Sequence, residues 1–232
     1  MTDQSLVDAL FQAGAHFGYS KTRRHPSASK FVFTTKNKVD IIDIEKTALQ
    51  LSEAEKVLRE LAAKGKKVLF VGTKPEAREA VKGAAERLDQ PFIVERWVGG
   101  VLTNWPEIKK RIVRLIDLKA KKEAGELDKY TKKERLLLDE EIAKMHKLFS
   151  GLTGITQKPD ILFVIDPKRE HIAVAEAKKV GIPVIALANT DTNLSDVTYP
   201  VVGNDGSVSS ISFVMERAVS AWRGGMATNP SL

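Results

Sequence analysis

Three stretches of this chain, VLFVG at 68–72, ILFVID at 161–166 and PVIALAN at 183–189, are apolar without alternation. A strand with one wet face alternates polar and apolar residues, whereas an unbroken apolar run of this length belongs to a strand covered on both faces. Between the runs lie segments of helical period: KPEAREAVKGAAERL, with Pro75 in its first turn, and PKREHIAVAEAKKVG. PFIVERW and YPVVG add shorter strands. Strand alternating with helix makes a parallel sheet with helices on both faces, the three-layer α/β arrangement of Rossmann- and flavodoxin-like folds.

The remaining segments fill in around this sheet. Residues 4–14 read as a short amphipathic helix stopped at Gly14, and Phe31–Phe33 as a short strand. VDII opens a further strand, and a long helix follows with Leu49, Ala54, Val57, Leu58 and Leu61 on its apolar face and Gly65 as its stop. A helix from Ser207 to Arg223 closes the folded chain, and 224–232 reads as a flexible tail. One interval, 104–150, holds no strand. There Trp105, Ile108, Ile112 and Leu115 step by 3, 4 and 3 residues, and Leu138, Ile142, Met145 and Phe149 by 4, 3 and 4, with KKEAGELDKYTKK between. These are two heptad-like seams, which predict an antiparallel coiled-coil hairpin inserted into an α/β domain formed by 1–103 and 151–223.

Composition narrows the function. The 232 residues are 43% hydrophobic and 29% charged, ordinary for a globular protein, with a formal charge of +7 and a pI near 9.4 that favour an anionic partner. There is no cysteine, so no disulfide framework and no thiolate metal site exists. The opening MTDQSLVDALFQAG carries acids where a signal peptide carries bases, and no apolar run reaches the ~20 residues a bilayer span needs. A cytoplasmic location is the expectation.

Enzymatic motifs are sparse. Lys74, in the βα turn VGTKPEA, stands where backbone N–H groups attract anions, but neither G-x-G-x-x-G nor G-x-x-x-x-G-K-[ST] is present. Asp166, Asp191 and Asp205, with Asn189 and Asn193, fall near predicted strand ends and have the oxygen chemistry of a Mg²⁺ site. The competing and favoured reading is turn and capping chemistry, because Asn and Asp bond local backbone. His16, His25, His146 and His171 are scattered, without metal-ligand spacing. There is no nucleophile elbow and no thiol.

The strongest signal lies between Ser20 and Lys38: six Lys/Arg and no Asp or Glu. A loop so one-sided repels itself unless an anion joins it. Lys21, Arg23, Arg24, His25, Lys30, Lys36 and Lys38 are therefore the candidate contacts to a polyanion, favoured over a merely solvated charged loop, with Phe17 and Tyr19 beside them able to stack on splayed bases. A second candidate is ERWVGGVLTNWPEIKKR. Its paired glycines, Gly99 and Gly100, permit close backbone approach, and Trp97, Asn104 and Trp105 are candidates for an exposed loop. Both tryptophans can instead wedge the hairpin base into the core, and for Trp105, which fits the helical seam, that is the favoured reading.

Three segments together, AGAHFGYSKTRRHPSASKFVF, RWVGGVLTNWPEIKKRI and the stretch from PDILFVID through YPVVGNDGSVSSI, resemble the bacterial small-subunit ribosomal protein S-two family, to which the laminin-receptor-like ribosomal protein is related. The resemblance runs from about residue 5 to 223. It implies an α/β sandwich with a protruding coiled-coil hairpin and no enzymatic activity. The implied partners are 16S-type ribosomal RNA and neighbouring small-subunit proteins, among them the large multi-domain protein that helps capture messenger RNA. It implies no cofactor, no membrane and no small-molecule substrate. The family's H-F-G matches His16, Phe17 and Gly18, and its T-R-R matches Thr22, Arg23 and Arg24. Its R-W-x-G-G-x-L-T-N matches Arg96, Trp97, Gly99, Gly100, Leu102, Thr103 and Asn104, which adds Arg96 and Asn104 to the RNA-binding candidates. The chain departs from the family where Asn189-Thr190-Asp191, Asn193-Leu194 and Gly203-Asn204-Asp205-Gly206 carry fewer carboxylates, and where His25 replaces an aromatic. The alternative, a nucleotide- or sugar-phosphate-binding α/β enzyme, meets a strand-end region (160–198) with 4 Lys/Arg against 6 Asp/Glu. That is a poor phosphate pocket.

Overall fold

The structure, a computed structural model, describes residues 4–155 and 157–228. In chain order it contains α1 (Gln4–Gln12), β1 (Phe17–Ser20), β2 (Val32–Lys36), β3 (Val39–Ile42), α2 (Ile44–Ala63), β4 (Val68–Val71), α3 (Pro75–Arg87) and β5 (Phe92–Ile93). Then come α4 (Trp105–Glu123), α5 (Lys132–Phe149), β6 (Ile161–Ile165), α6 (His171–Val180), β7 (Val184–Ala188), β8 (Tyr199–Val202) and α7 (Val208–Ala227). Strands β5-β4-β6-β7-β8 form an all-parallel sheet, and β1-β3-β2 a separate antiparallel one.

The apolar runs are split by the two-residue period of a strand. Val68, Phe70, Ile161, Phe163, Ile185 and Leu187 point to one face, where Leu51 and Leu58 of α2, Val81 and Ala85 of α3, and Met215 and Trp222 of α7 cover them. Leu69, Val71, Leu162, Val164, Val184 and Ala186 point to the other, where they meet Ala173, Val174 and Ala177 of α6 and the roots of α4 and α5. Every residue of β4, β6 and β7 is buried. Burying one such branched or aromatic side chain is worth roughly 1.5–3 kcal/mol, so the three central strands dominate the fold's stability.

Several boundaries differ from the sequence reading. Phe31 ends a 3-10 turn and the strand begins at Val32. The PFIVERW strand shrinks to Phe92–Ile93, since Trp97 leaves the sheet to enter a loop. Leu49 of α2 is exposed, and the buried face is Thr47, Ala48, Leu51, Ala54, Glu55, Leu58 and Ala62. Glu55 is tolerated there because Arg217 of α7 reaches it at 2.6 Å and Arg59 at 3.0 Å. Helix α7 continues past Arg223 to Ala227, because Gly225 packs against the Arg59 carbonyl and Ala62 of α2. The rest of the predicted tail, 229–232, lies outside the described residues.

Helices α4 and α5 pack together, later residues of α4 pairing with earlier residues of α5: Lys122 with Asp139 at 2.7 Å, Arg114 with Glu141 at 2.6 Å. Their seam does not close on itself. Trp105, Ile108 and Phe149 continue the sheet's apolar face outward through Ile112, Leu115 and Leu118.

Candidate nucleic-acid interface

The basic segment is a built platform. β2 and β3 are joined by Asn37-Lys38, both in the left-handed region (φ 51° and 64°), as a two-residue turn that follows the strand twist requires. Between β1 and β2 the chain makes two 3-10 turns, Lys21–Arg23 and Pro26–Phe31. Beneath them Ala28, Ile42, Ala188, Leu194 and Val202 form a small core that fastens the platform to the parallel sheet. The fastening is also polar. The Tyr19 N–H donates to Thr190 Oγ1 (3.1 Å), His25 N–H to the Thr190 carbonyl (2.8 Å), and Leu194 N–H to Ser27 Oγ (3.0 Å). Gly18 is required where these layers meet, because a Cβ there would press on Thr190 and Asp40. The 189–194 loop thus docks the platform, a role that the sequence reading of capping chemistry only half anticipated.

The predicted contacts separate into two groups. Lys21, Arg23, Lys30, Lys36 and Lys38 are exposed, and among the described residues no acid pairs with them. Arg23 lies over the Tyr19 ring (5.8 Å) and Lys30 over Phe31 (5.1 Å). Arg24 is different. Its Nε stands 2.9 Å from Oδ2 of Asp40 and its terminal nitrogen donates to Oδ1 at 3.0 Å, and Asp40 is fully buried. Thr35 Oγ1 donates to the same carboxylate at 2.9 Å. The acid that the loop lacks is therefore supplied by β3, and one of its arginines is consumed by the fold. His25 is likewise turned inward: Nδ1 accepts from Ser27 N–H (3.2 Å) and caps the second 3-10 turn. Arg96 and Asn104 are exposed, flanking the second loop rather than joining the platform.

An aromatic face adjoins the cations. Phe11 stacks on His16 (4.5 Å), His16 meets Phe17 at a tilt of 39° (4.0 Å), and burial lowers the His16 pKa. Phe17 and Phe33 are 49% and 76% exposed, unusual for phenylalanine on a folded surface.

At the strand ends Lys74 sits in an ion-pair cluster. Its ammonium lies 3.2 Å from Asp166, 3.5 Å from Asp205 and 3.3 Å from Tyr19 Oη. Burial pulls its pKa down, but the charges of Asp205 and Asp166 outweigh burial and hold it above the ordinary lysine value. Burial and then Asp166 push Asp205 up to about 6. Two carboxylates thus answer the charge of this lysine. Asn189 Nδ2 donates to Asp205 (2.9 Å), Asp191 pairs with Lys168 (2.8 Å), and Asn193 accepts from Ser195 N–H (3.2 Å).

The second loop turns its hydrogen-bond donors inward while Gly99 and Thr103 stay exposed. Trp97 is buried, and its Nε1 donates to Glu176 of α6 at 3.1 Å, a correction to its reading as an exposed loop residue. Gly100 N–H (2.7 Å), Leu102 N–H (3.1 Å), Thr103 N–H (3.1 Å) and Thr103 Oγ1 (3.0 Å) converge on the same carboxylate. Gly100 has φ +97°, the conformation that turns its N–H inward. Burial would raise the Glu176 pKa, but these hydrogen bonds prevail and hold it below the usual carboxylate range. No spacing in the sequence marks Glu176, since its partners lie more than 70 residues away.

Comparison with known proteins places the chain in a family. The family model described as ribosomal protein S2 matches residues 10–229. Proteins named small ribosomal subunit protein uS2 are similar over most of the chain. That of Dictyoglomus turgidum is 41% identical over 216 residues (93% of this chain, 88% of the relative), and that of Dehalococcoides mccartyi strain ATCC BAA-2100 is 40% identical over 215 (93% and 88%). That of Roseiflexus castenholzii is 41% identical over 220 residues, 94% of this chain and 84% of its own. A two-faced parallel sheet, a pinned basic platform and a match over nearly the whole length lead to one conclusion: this chain belongs to the ribosomal protein S2 family.

Proposed function

We propose that the protein is a structural constituent of the small ribosomal subunit that grips 16S-type ribosomal RNA by phosphate contacts from Lys21, Arg23, Lys30, Lys36 and Lys38. The family is one of ribosomal structural proteins, not enzymes. The observation that carries the reading is that five cations stand without an acidic partner among the described residues, on a platform anchored by backbone hydrogen bonds and its own small core. A platform already ordered loses little entropy on binding, and phosphate contact requires no base-reading motif. Arg96 and Asn104 are a second, smaller contact at the root of α4. Arg24 and His25 hold the platform's shape instead of touching RNA. The exposed Phe17 and Phe33 suit an apolar protein neighbour, and the large multi-domain protein that captures messenger RNA is the partner assigned to them. The α/β unit (1–103 with 151–223) and an arm (104–150) divide the work, in the cytoplasm, where ribosomes assemble.

Two measurements test this. Tagged protein should sediment with 30S particles. In filter binding to small-subunit RNA, five phosphate contacts predict a log–log salt slope of about −4. A slope near zero between about 50 and 200 mM salt would refute the phosphate account.

A further inference from the structure

We infer that Glu176 is a positioning residue that sets the direction of the α4–α5 arm, acting through the Trp97–Thr103 loop. Five donors from that loop end on one carboxylate of α6, and the loop closes on itself through Asn104 N–H to the Gly100 carbonyl (2.8 Å). The next residue, Trp105, begins α4. The apolar contacts at the arm's root, Trp105, Ile108 and Phe149 against the sheet, are strong but carry little directional information. Hydrogen bonds are directional, and those to a charged acceptor are the stronger kind. That carboxylate gathers five directional contacts at the point where α4 leaves the domain, and so biases the angle of departure. Leverage makes that angle matter. Helix α4 has 19 residues, about 28 Å at 1.5 Å per residue, so an error of about 10° at the root moves the far end by about 5 Å. For its consequence in assembly this inference rests on the ribosomal reading. The geometry does not.

The chain has no cysteine, so Lys129→Cys at the arm's turn and Lys82→Cys on α3, both exposed, accept spin labels cleanly. The double-labelled full-length protein should give one narrow distance distribution. Glu176→Gln keeps the shape but presents an amide N–H₂ to the converging N–H donors. It should broaden or split that distribution by about 5 Å while far-ultraviolet circular dichroism stays that of the parent. Trp97→Phe combined with Thr103→Val removes two of the five donors without altering the carboxylate and should give an intermediate broadening. This second variant decides the matter if Glu176→Gln fails to fold. Distributions that overlay the parent's overturn the inference. In reconstitution, Glu176→Gln should enter particles at least tenfold less efficiently while its RNA salt slope remains that of the parent. A flat slope in the parent itself would overturn the RNA reading and leave the arm measurement standing.

Discussion

Arg23 and Arg24 are adjacent in sequence and opposite in consequence, which permits a sharp test. Arg24→Ala removes the guanidinium from a carboxylate that is 0% exposed. Stranding a buried charge costs about 3–5 kcal/mol. Arg24 is itself 20% exposed and Asp40 keeps its bond from Thr35, so water and the hydroxyl recover part of the loss and the lower end, about 3 kcal/mol, applies. For a chain of this length each kcal/mol lowers the midpoint by about 2–4 °C, giving a fall of roughly 6–12 °C. Arg23 is exposed, lies over the Tyr19 ring and has no acidic partner among the described residues, so Arg23→Ala should leave the midpoint within about 2 °C of the parent, as surface changes do. It should instead lower the RNA salt slope by roughly 0.7 to 0.9, one phosphate contact. Thermal melts by circular dichroism and filter-binding titrations, run on both single mutants, separate the roles. Adding Asp40→Asn to Arg24→Ala should recover part of the midpoint, because the stranded charge is gone. If Arg24→Ala melted with the parent, the buried pair would contribute nothing and the division of labour drawn for the two arginines would be wrong.

Other consequences can be checked independently. Because the Asp205 pKa is raised in the folded state, its contribution to stability is present at pH below about 4 and is lost as pH rises to about 6; Asp205→Asn should flatten the stability profile across that window, and an unchanged profile in urea titrations would exclude it as the source. Glu176 has the opposite sign: its pKa is depressed, so its contribution is present above the ordinary glutamate range and vanishes on acidification below it. Hydrogen exchange at the Gly100 and Leu102 amides should accelerate there, relative to amides of β6. Gly225→Ala forces a methyl into the Arg59 carbonyl and should cost roughly 1–3 kcal/mol in chemical denaturation; a neutral result would mean that α2 and α7 can separate without penalty. Removing Lys119–Leu138 should leave a cooperative unfolding transition, whereas removing Glu107–Phe149 strips Ile108, Ile112, Leu115 and Phe149 from the second apolar cluster and should abolish it.

The parallel sheet was legible because its signal is local and redundant. Each of VLFVG, ILFVID and PVIALAN is apolar throughout, and only burial on two faces accommodates that. The helices of 104–150 were legible for a similar reason, since the spacing of Trp105, Ile108, Ile112 and Leu115 is itself the packing face. Where a face was read from residue spacing alone, as for Leu49, the choice between neighbouring stripes of one helix needed the partner helix α7. The excess of positive charge at 20–38 was likewise plain, and so was the inference that something anionic must answer it. Which anion answers which cation was not. Asp40 satisfies Arg24 because the Asn37-Lys38 turn folds β3 back alongside β2, and Lys74 lies among Asp166 and Asp205 because three strands end at one edge. Glu176 is the extreme case: nothing in its sequence neighbourhood distinguishes it, and its five donors assemble only when α6 and the Trp97–Thr103 loop cover the same side of the sheet. Periodicity and charge density are properties of a segment and can be read from it. The pairing of buried charges depends on contacts between distant segments, and the tertiary structure alone decides it.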